Sequence, residues 1–259
     1  MHKHLNLLYV GYVFITFIIW LPVVVLLHIL FKLIPDEKRR LRLIYQVHRG
    51  WIGLWEILTR INMQVERHDR VDPKQTYMFV ANHNNMLDVP VVGSCIQHPW
   101  KSLVKKEILD IPILGWIIGN ISIPVNRCDR ASRSRSLKGM VQSLNDGISI
   151  LVFPEGTRNR TEQPLKQFHG GAFRVAIEAQ VPIMPIVMTG IRQMQPVDTM
   201  EFYPGDIQMK FLEPIPTEGL SAADEGKIKE KVYRIIEAEL LENDPFFQPK
   251  FGNPVHYPI

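Results

Sequence analysis

Apolar residues run almost unbroken from Leu5 to Ile34, interrupted mainly by Asn6, Thr16, Pro22, His28 and Lys32. A run of this length can cross a bilayer once as a helix, kinked at Pro22, where the ring removes a backbone donor. A monotopic helical hairpin, bent near Pro22 and dipping into one leaflet, fits the same run. A secretory signal would have a shorter apolar core, and no small-residue cleavage site follows this one. Lys32, Lys38, Arg39, Arg40 and Arg42 follow the run, whereas only Lys3 precedes it. The positive-inside rule therefore places the body of the protein on the cytoplasmic face of a membrane, the inner membrane in a bacterium.

Residues 39–62 carry Leu41, Ile44, Val47, Trp51, Leu54, Trp55 and Leu58 at mixed spacings of three and four, which predicts an amphipathic helix. Trp51 and Trp55, one turn apart beside His48, Arg49 and Arg60, suit the headgroup zone of a membrane. The same stripe equally suits packing on the catalytic domain. From residue 76 the pattern changes to short apolar runs alternating with helical stretches. Strands are expected at 76–81, 102–105, 121–125, 148–153, 183–188 and 207–212, with helices near 88–97, 132–146 and 171–180. Ser221 and Asp224 form a capping box for a helix over about 221–243, and the proline- and aromatic-rich tail from Asp244 is expected on the surface. The rhythm predicts an α/β protein, a sheet covered by helices, with residues 1–62 as an anchoring helical region and 63–259 as the catalytic domain.

In such a sheet, chemistry collects at the strand ends. The apolar run Tyr77–Ala81 ends in Asn82-His83, and Asp88 follows five residues after the histidine. On one straight helix, positions five apart lie about 140° around the axis and do not face each other. They can meet if His83 is on the strand-to-helix turn and Asp88 in the first helical turn, where Pro90 is well tolerated. Asp88 would then hold the imidazole tautomer that leaves the other ring nitrogen free as a base. Alone, the pair fits a turn cap and a helix cap equally well.

A second apolar strand, Ile148–Phe153, runs into Pro154-Glu155-Gly156-Thr157-Arg158. Asn-His-x-x-x-x-Asp followed at this distance by Phe-Pro-Glu-Gly-Thr-Arg resembles the glycerolipid acyltransferase family. Two further blocks stand in the family's order: Ile123-Pro124-Val125-Asn126-Arg127 between them, and Val181-Pro182-Ile183-Met184-Pro185-Ile186 after. The resemblance covers roughly residues 75–215, and four ordered blocks are far more specific than any one. It implies the mixed α/β fold of that family and transfer of a fatty acyl group from a thioester, acyl-coenzyme A or acyl carrier protein, to a lysophospholipid hydroxyl. Lysophosphatidate is the first acceptor considered. No further cofactor and no metal are expected.

An alcohol is a poor nucleophile near neutral pH, so a base within hydrogen-bond reach is required. His83 fits that role and Asp88 the role of orienting it, with the substrate supplying the hydroxyl. The chain has no Gly-x-Ser-x-Gly elbow and no persuasive nucleophilic cysteine, which favours direct transfer over an acyl-enzyme. Oxyanion donors are sought among backbone N–H groups near Gly156 or around the Asn84–Met86 turn. Lys105, Arg127 and Arg158 are candidates for the acceptor's phosphate. The resemblance implies an acceptor-binding role for Glu155 and Gly156, and Thr157 lies in the same block. Where the family usually has serine the chain has Asn85, and the second block more often ends Asp-Arg than Asn126-Arg127. Both departures bear on substrate recognition more than on reaction class.

At 259 residues the chain can bury a sizeable core. Its net charge is only +4, but its pI is about 9.0 and the basic residues cluster, favouring an anionic ligand or lipid surface over nucleic acid. The run Arg127, Arg130, Arg133, Arg135 and Lys138 reads as a solvated helix face or as a contact for anionic lipid or donor phosphates; it has no interleaved aromatics for base stacking. Cys95 and Cys128 form no disulfide framework or zinc spacing, which suits a reduced compartment. Against the acyltransferase reading stand a membrane-binding scaffold that retains the fold and a hydrolase. A scaffold has no need of His83, Asp88, Glu155 and Arg158 together, and a hydrolase needs a means of activating water.

Overall fold

The computed structural model describes residues 3–85, 87–126, 128–196 and 199–248, with side chains from Asn6 onward. The apolar N-terminal run forms two helices, α1 (Lys3–Ile18) and α2 (Leu21–Phe31). The break falls just before Pro22, whose ring cannot donate to the preceding turn. From Asn6 to Phe31 the mean hydropathy is 2.7, the run is long and apolar enough to cross a membrane, and only 17% of its most apolar window is buried. Its outward residues include Leu7, Leu8, Ile15, Ile19 and Leu26.

Helix α3 (Glu37–Thr59) starts where the Asp36 carboxylate accepts from the Arg39 N–H at 2.7 Å, and it stops at Arg60 in a left-handed conformation (φ 54°). It ends short of residue 62, because the chain already enters the sheet as β1 (Ile61–Glu66), a strand the hydrophobic pattern did not reveal. The tryptophan stripe of α3 faces inward. The Phe17 ring of α1 lies 4.4 Å from Trp51 and 5.9 Å from Trp55, and Trp55 Nε1 donates to the Val13 carbonyl at 3.2 Å. The stripe thus packs on the N-terminal helix α1, a partner the sequence did not suggest.

The remaining elements are β2 (Met78–Ala81), α4 (Asp88–Cys95), β3 (Trp100–Lys105), α5 (Leu114–Gly119), β4 (Ser122–Val125), α6 (Arg130–Asn145), β5 (Ser149–Val152), α7 (Gly171–Glu178), β6 (Ile183–Thr189), α8 (Ile191–Met194), β7 (Gly205–Phe211) and α9 (Glu225–Asn243). The seven strands form one mixed sheet in the order β1-β7-β6-β2-β5-β3-β4. Only β6 and β7 pair antiparallel; the other neighbours are parallel. Side chains alternate across it. Phe79 and Ala81 join the core under α3 and α4, while Met78 and Val80 join the core under α6, α7 and α9. Covering on both faces explains why the central strands are continuously apolar. The expected capping box at Ser221 and Asp224 is present.

One expectation for the surface changes. The tail from Asp244 is expected on the surface, but Asp244 is fully buried and Phe246 and Phe247 pack over Arg192, so the start of the tail belongs to the folded body; residues 249–259 lie outside the described residues. Arg130, Arg133, Arg135 and Lys138 are exposed on α6; Arg127 lies outside the described residues.

Candidate active site

The sheet order gathers chemistry at one edge. Strands β6, β2, β5 and β3 are adjacent and parallel, so their C-terminal ends emerge side by side. His83 follows β2, Glu155 follows β5, Lys105 ends β3, and Arg192 follows β6. Ligands collect at this edge of such sheets, where helix N-termini and loops converge.

Asn82 makes the exit possible. Its side chain accepts from the Met188 N–H at 2.8 Å and donates to the Met188 carbonyl at 2.9 Å. The carboxamide thus extends the β2–β6 ladder by one step while the main chain turns away and presents His83. The backbone of His83 is pinned on both sides. Its N–H donates to Glu155 Oε1 at 2.8 Å, and its carbonyl accepts from the Asn159 N–H at 2.6 Å. The ring stacks on Phe153 at 4.4 Å and 27°.

His83 Nδ1 lies 2.8 Å from Asp88 Oδ2. The same oxygen accepts from the Asn84 N–H at 2.5 Å and the Asn85 N–H at 2.8 Å. An ionised carboxylate only accepts, so the imidazole proton belongs on Nδ1 and the Nε2 lone pair is left available. Asp88 is fully buried at the first turn of α4, where the helix N-terminus favours a negative charge. The His83 side chain keeps 18% exposure, so Nε2 can be reached from outside. Nε2 has no protein partner among the described residues.

Glu155 is buried at 3% exposure and uses both oxygens on backbone: Oε1 on His83 and Oε2 on the Lys166 N–H at 3.0 Å. Burial pushes its carboxyl up to about 7, with the two donated N–H bonds pulling it back. It therefore braces the His83 turn against the loop after β5. Gly156 (φ 73°) takes a left-handed conformation in the turn that reverses the chain there. Thr157 is exposed and its hydroxyl meets Lys166 Nζ at 2.6 Å. Lys105 and Arg158 make no ion pair among the described residues, and Lys105 is exposed at the same edge.

Three of the oxyanion donors expected from sequence are already engaged. The Gly156 N–H donates to the Phe153 carbonyl at 3.0 Å, and those of Asn84 and Asn85 to Asp88. These tight turns satisfy their own donors, which spacing along the chain could not disclose; Met86 lies outside the described residues. Asn85, at the family's usual serine position, accepts from the Leu87 N–H at 3.2 Å, and Asn126 accepts from the Cys128 N–H at 3.0 Å. Each carboxamide closes its own turn. Sequence reasoning also missed Asn82, Asn159 and Arg192. The only signal for the last was an arginine two residues past the glycine that follows an apolar strand.

A family profile described as acyltransferase matches residues 62–189. An uncharacterized acyltransferase of Schizosaccharomyces pombe is 30% identical over 211 residues, covering 80% of this chain and 75% of that protein. Human 1-acyl-sn-glycerol-3-phosphate acyltransferase alpha is 33% identical over 175 residues, which span 66% of this chain and 61% of the human one. The crystal structure of a 1-acyl-sn-glycerophosphate acyltransferase from Thermotoga maritima has the same fold: TM-score 0.79 at 22% identity, covering 93% of this chain and 97% of that one. The chain belongs to the acyltransferase family. By class it is an O-acyltransferase, an enzyme that moves an acyl group onto a hydroxyl.

Proposed function

We propose that this chain transfers a fatty acyl group from an acyl thioester to the sn-2 hydroxyl of 1-acylglycerol-3-phosphate, giving phosphatidic acid for phospholipid synthesis. The observation that carries the reading is the reachable Nε2 of His83, with Nδ1 held 2.8 Å from Asp88. Nε2 takes the proton of the acceptor hydroxyl as its oxygen attacks the thioester carbonyl. The tetrahedral intermediate then expels the thiolate, which takes that proton from the imidazolium, so the histidine ends as it began. Asp88 holds the ring and supports its transient positive charge.

Lys105, Arg158 and Arg127 supply cations for the acceptor's phosphate, with Thr157 beside them; Glu155 and Gly156 shape the wall against which it lies. Acyl-coenzyme A and acyl carrier protein both satisfy the donor chemistry, and the reaction needs no cofactor beyond that co-substrate. Residues 1–62 anchor the protein in a membrane through the exposed apolar surface of α1 and α2, and the body, residues 63–259, works on the cytoplasmic face. A second reading keeps the reaction and changes the acceptor to another lysophospholipid or a lyso-ornithine lipid, because Asn85 and Asn126 depart from the family pattern beside the site.

Thiol release from acyl-coenzyme A by detergent-purified protein, with a panel of lysolipid acceptors and His83→Ala as the blank, tests both. Release with lysophosphatidate alone supports the first reading, and release with a different acceptor alone supports the second. If neither acyl-coenzyme A nor acyl carrier protein supports release with any acceptor, the proposal fails.

A further inference from the structure

Arg192 is a cation buried at 5% exposure with no ion-pair partner within bonding distance among the described residues. It stands at the start of α8, directly after β6, and reaches three separate segments. Nη2 donates to the Asn84 carboxamide oxygen at 3.1 Å and to the Gln163 carbonyl at 3.3 Å, and Nη1 donates to the Thr161 carbonyl at 2.8 Å. Phe246 and Phe247 close over the guanidinium at 5.0 and 5.5 Å. Nε has no partner.

Burying an unpaired charge is unfavourable, and an uncharged side chain of similar size would stabilise the fold at least as well. Burial lowers the guanidinium's pKa, and Asp244, Glu155 and Asp88 act against that shift. The bonds also go to informative places. Asn84 is the residue between His83 and Asn85, and its own N–H donates to the Asp88 oxygen that holds the histidine. Thr161 and Gln163 belong to the loop that Asn159 ties to the His83 carbonyl. Only a planar fork with several donors can serve three acceptors at once; a lysine ammonium has neither that geometry nor that reach.

We propose that Arg192 is a positioning residue for the His83–Asp88 pair, clamping the Asn84 turn and the 159–165 loop into register under the lid formed by Phe246 and Phe247. The proposal rests on the reading of His83 as the base. It makes the C-terminal aromatic turn part of the active-site scaffold, since it shields the clamp from water.

The test compares the full-length protein with Arg192→Lys, Arg192→Ala and Asn84→Ala, the last removing the acceptor and leaving the arginine. Two readouts are needed. In thiol release, a mispositioned base lowers kcat by about ten- to a hundredfold with KM within about threefold. Added guanidinium should restore a measurable part of kcat in Arg192→Ala and none in wild type. Independently of transfer, the rate at which diethyl pyrocarbonate modifies His83, followed by peptide mass spectrometry across pH, should change profile in all three variants. That second readout separates this proposal from the acyltransfer reading, because it stands even if no acceptor is found. Variants that melt earlier but keep the wild-type modification profile, kcat and KM would reduce Arg192 to a structural residue. If Arg192→Ala does not fold, Arg192→Lys and Asn84→Ala decide the matter by the same criteria.

Discussion

His83 and Asp88 lie five positions apart in the chain, yet His83 Nδ1 and Asp88 Oδ2 are 2.8 Å apart, because the histidine leaves β2 before the helix begins and the aspartate opens α4. One carboxylate oxygen thereby gathers three donors, two of them backbone N–H groups of the turn itself. The histidine–aspartate pair and the turn that shapes it are a single hydrogen-bonded unit.

Asp88→Asn places an amide where three donors converge. An NH2 turned toward them repels, and an oxygen turned toward them no longer stabilises an imidazolium. Acyl transfer should fall about 10³–10⁴-fold with little change in KM, measured by thiol release. Residual turnover within about tenfold of wild type would sink the orienting role.

Glu155→Gln leaves one of two backbone N–H groups, His83 or Lys166, facing an amide donor. A buried unsatisfied donor costs about 1–3 kcal/mol, which chemical denaturation will register. Because one of the two affected groups is His83 itself, kcat should fall together with stability.

Stability should also decline with rising pH through this same carboxyl. Burial raises the Glu155 pKa from 4.5 to about 7, so the folded state binds the proton more tightly than the unfolded chain between those values. Its contribution is complete below about pH 4.5 and lost as pH rises through about 7. About 2.5 pKa units correspond to roughly 3 kcal/mol. Denaturation curves from pH 4.5 to 8 should show this slope in wild type, and it should be absent in Glu155→Gln.

Gly190 joins β6 to the turn of helix that carries Arg192. Its φ is 85°, and a Cβ there would stand 2.1 Å from the Asp206 carbonyl oxygen, a backbone atom that cannot yield cheaply. Gly190→Ala should lower stability by at least ~2 kcal/mol and slow turnover by displacing Arg192, as measured by thermal melting and thiol release.

Removing residues 1–35 should release the protein from membranes and also lower its melting temperature. Val10 and Val13 are buried, and Trp55, 3% exposed, loses the Phe17 and Val13 cover it has on α3. Vesicle flotation and thermal melting check the two parts. An unchanged melting temperature would mean that α1 and α2 only anchor.

The sequence by itself determined the elements with strong periodicity and the candidate residues for the chemistry. Apolar runs bounded by prolines and glycines located six of the strands to within a few residues, since a strand buried on both faces has little choice of composition. The order of four motif blocks named the reaction class, and His83, Asp88 and Glu155 came with it. What the chain could not disclose were relationships that depend on sheet order. Strand β1 escaped because it is an edge strand, mostly exposed and carrying no unbroken apolar run. Glu155 reads in sequence as a residue for substrate, but its burial between β2 and the loop after β5 turns it to backbone. Arg192 and the buried Asp244 are far apart in the chain from His83, and β6 brings Arg192 beside it only because it pairs with β2. Local patterning is set by which side chains face water, and that is written residue by residue. The partners of a buried charge are set by which strands become neighbours, and that is decided only when the sheet closes.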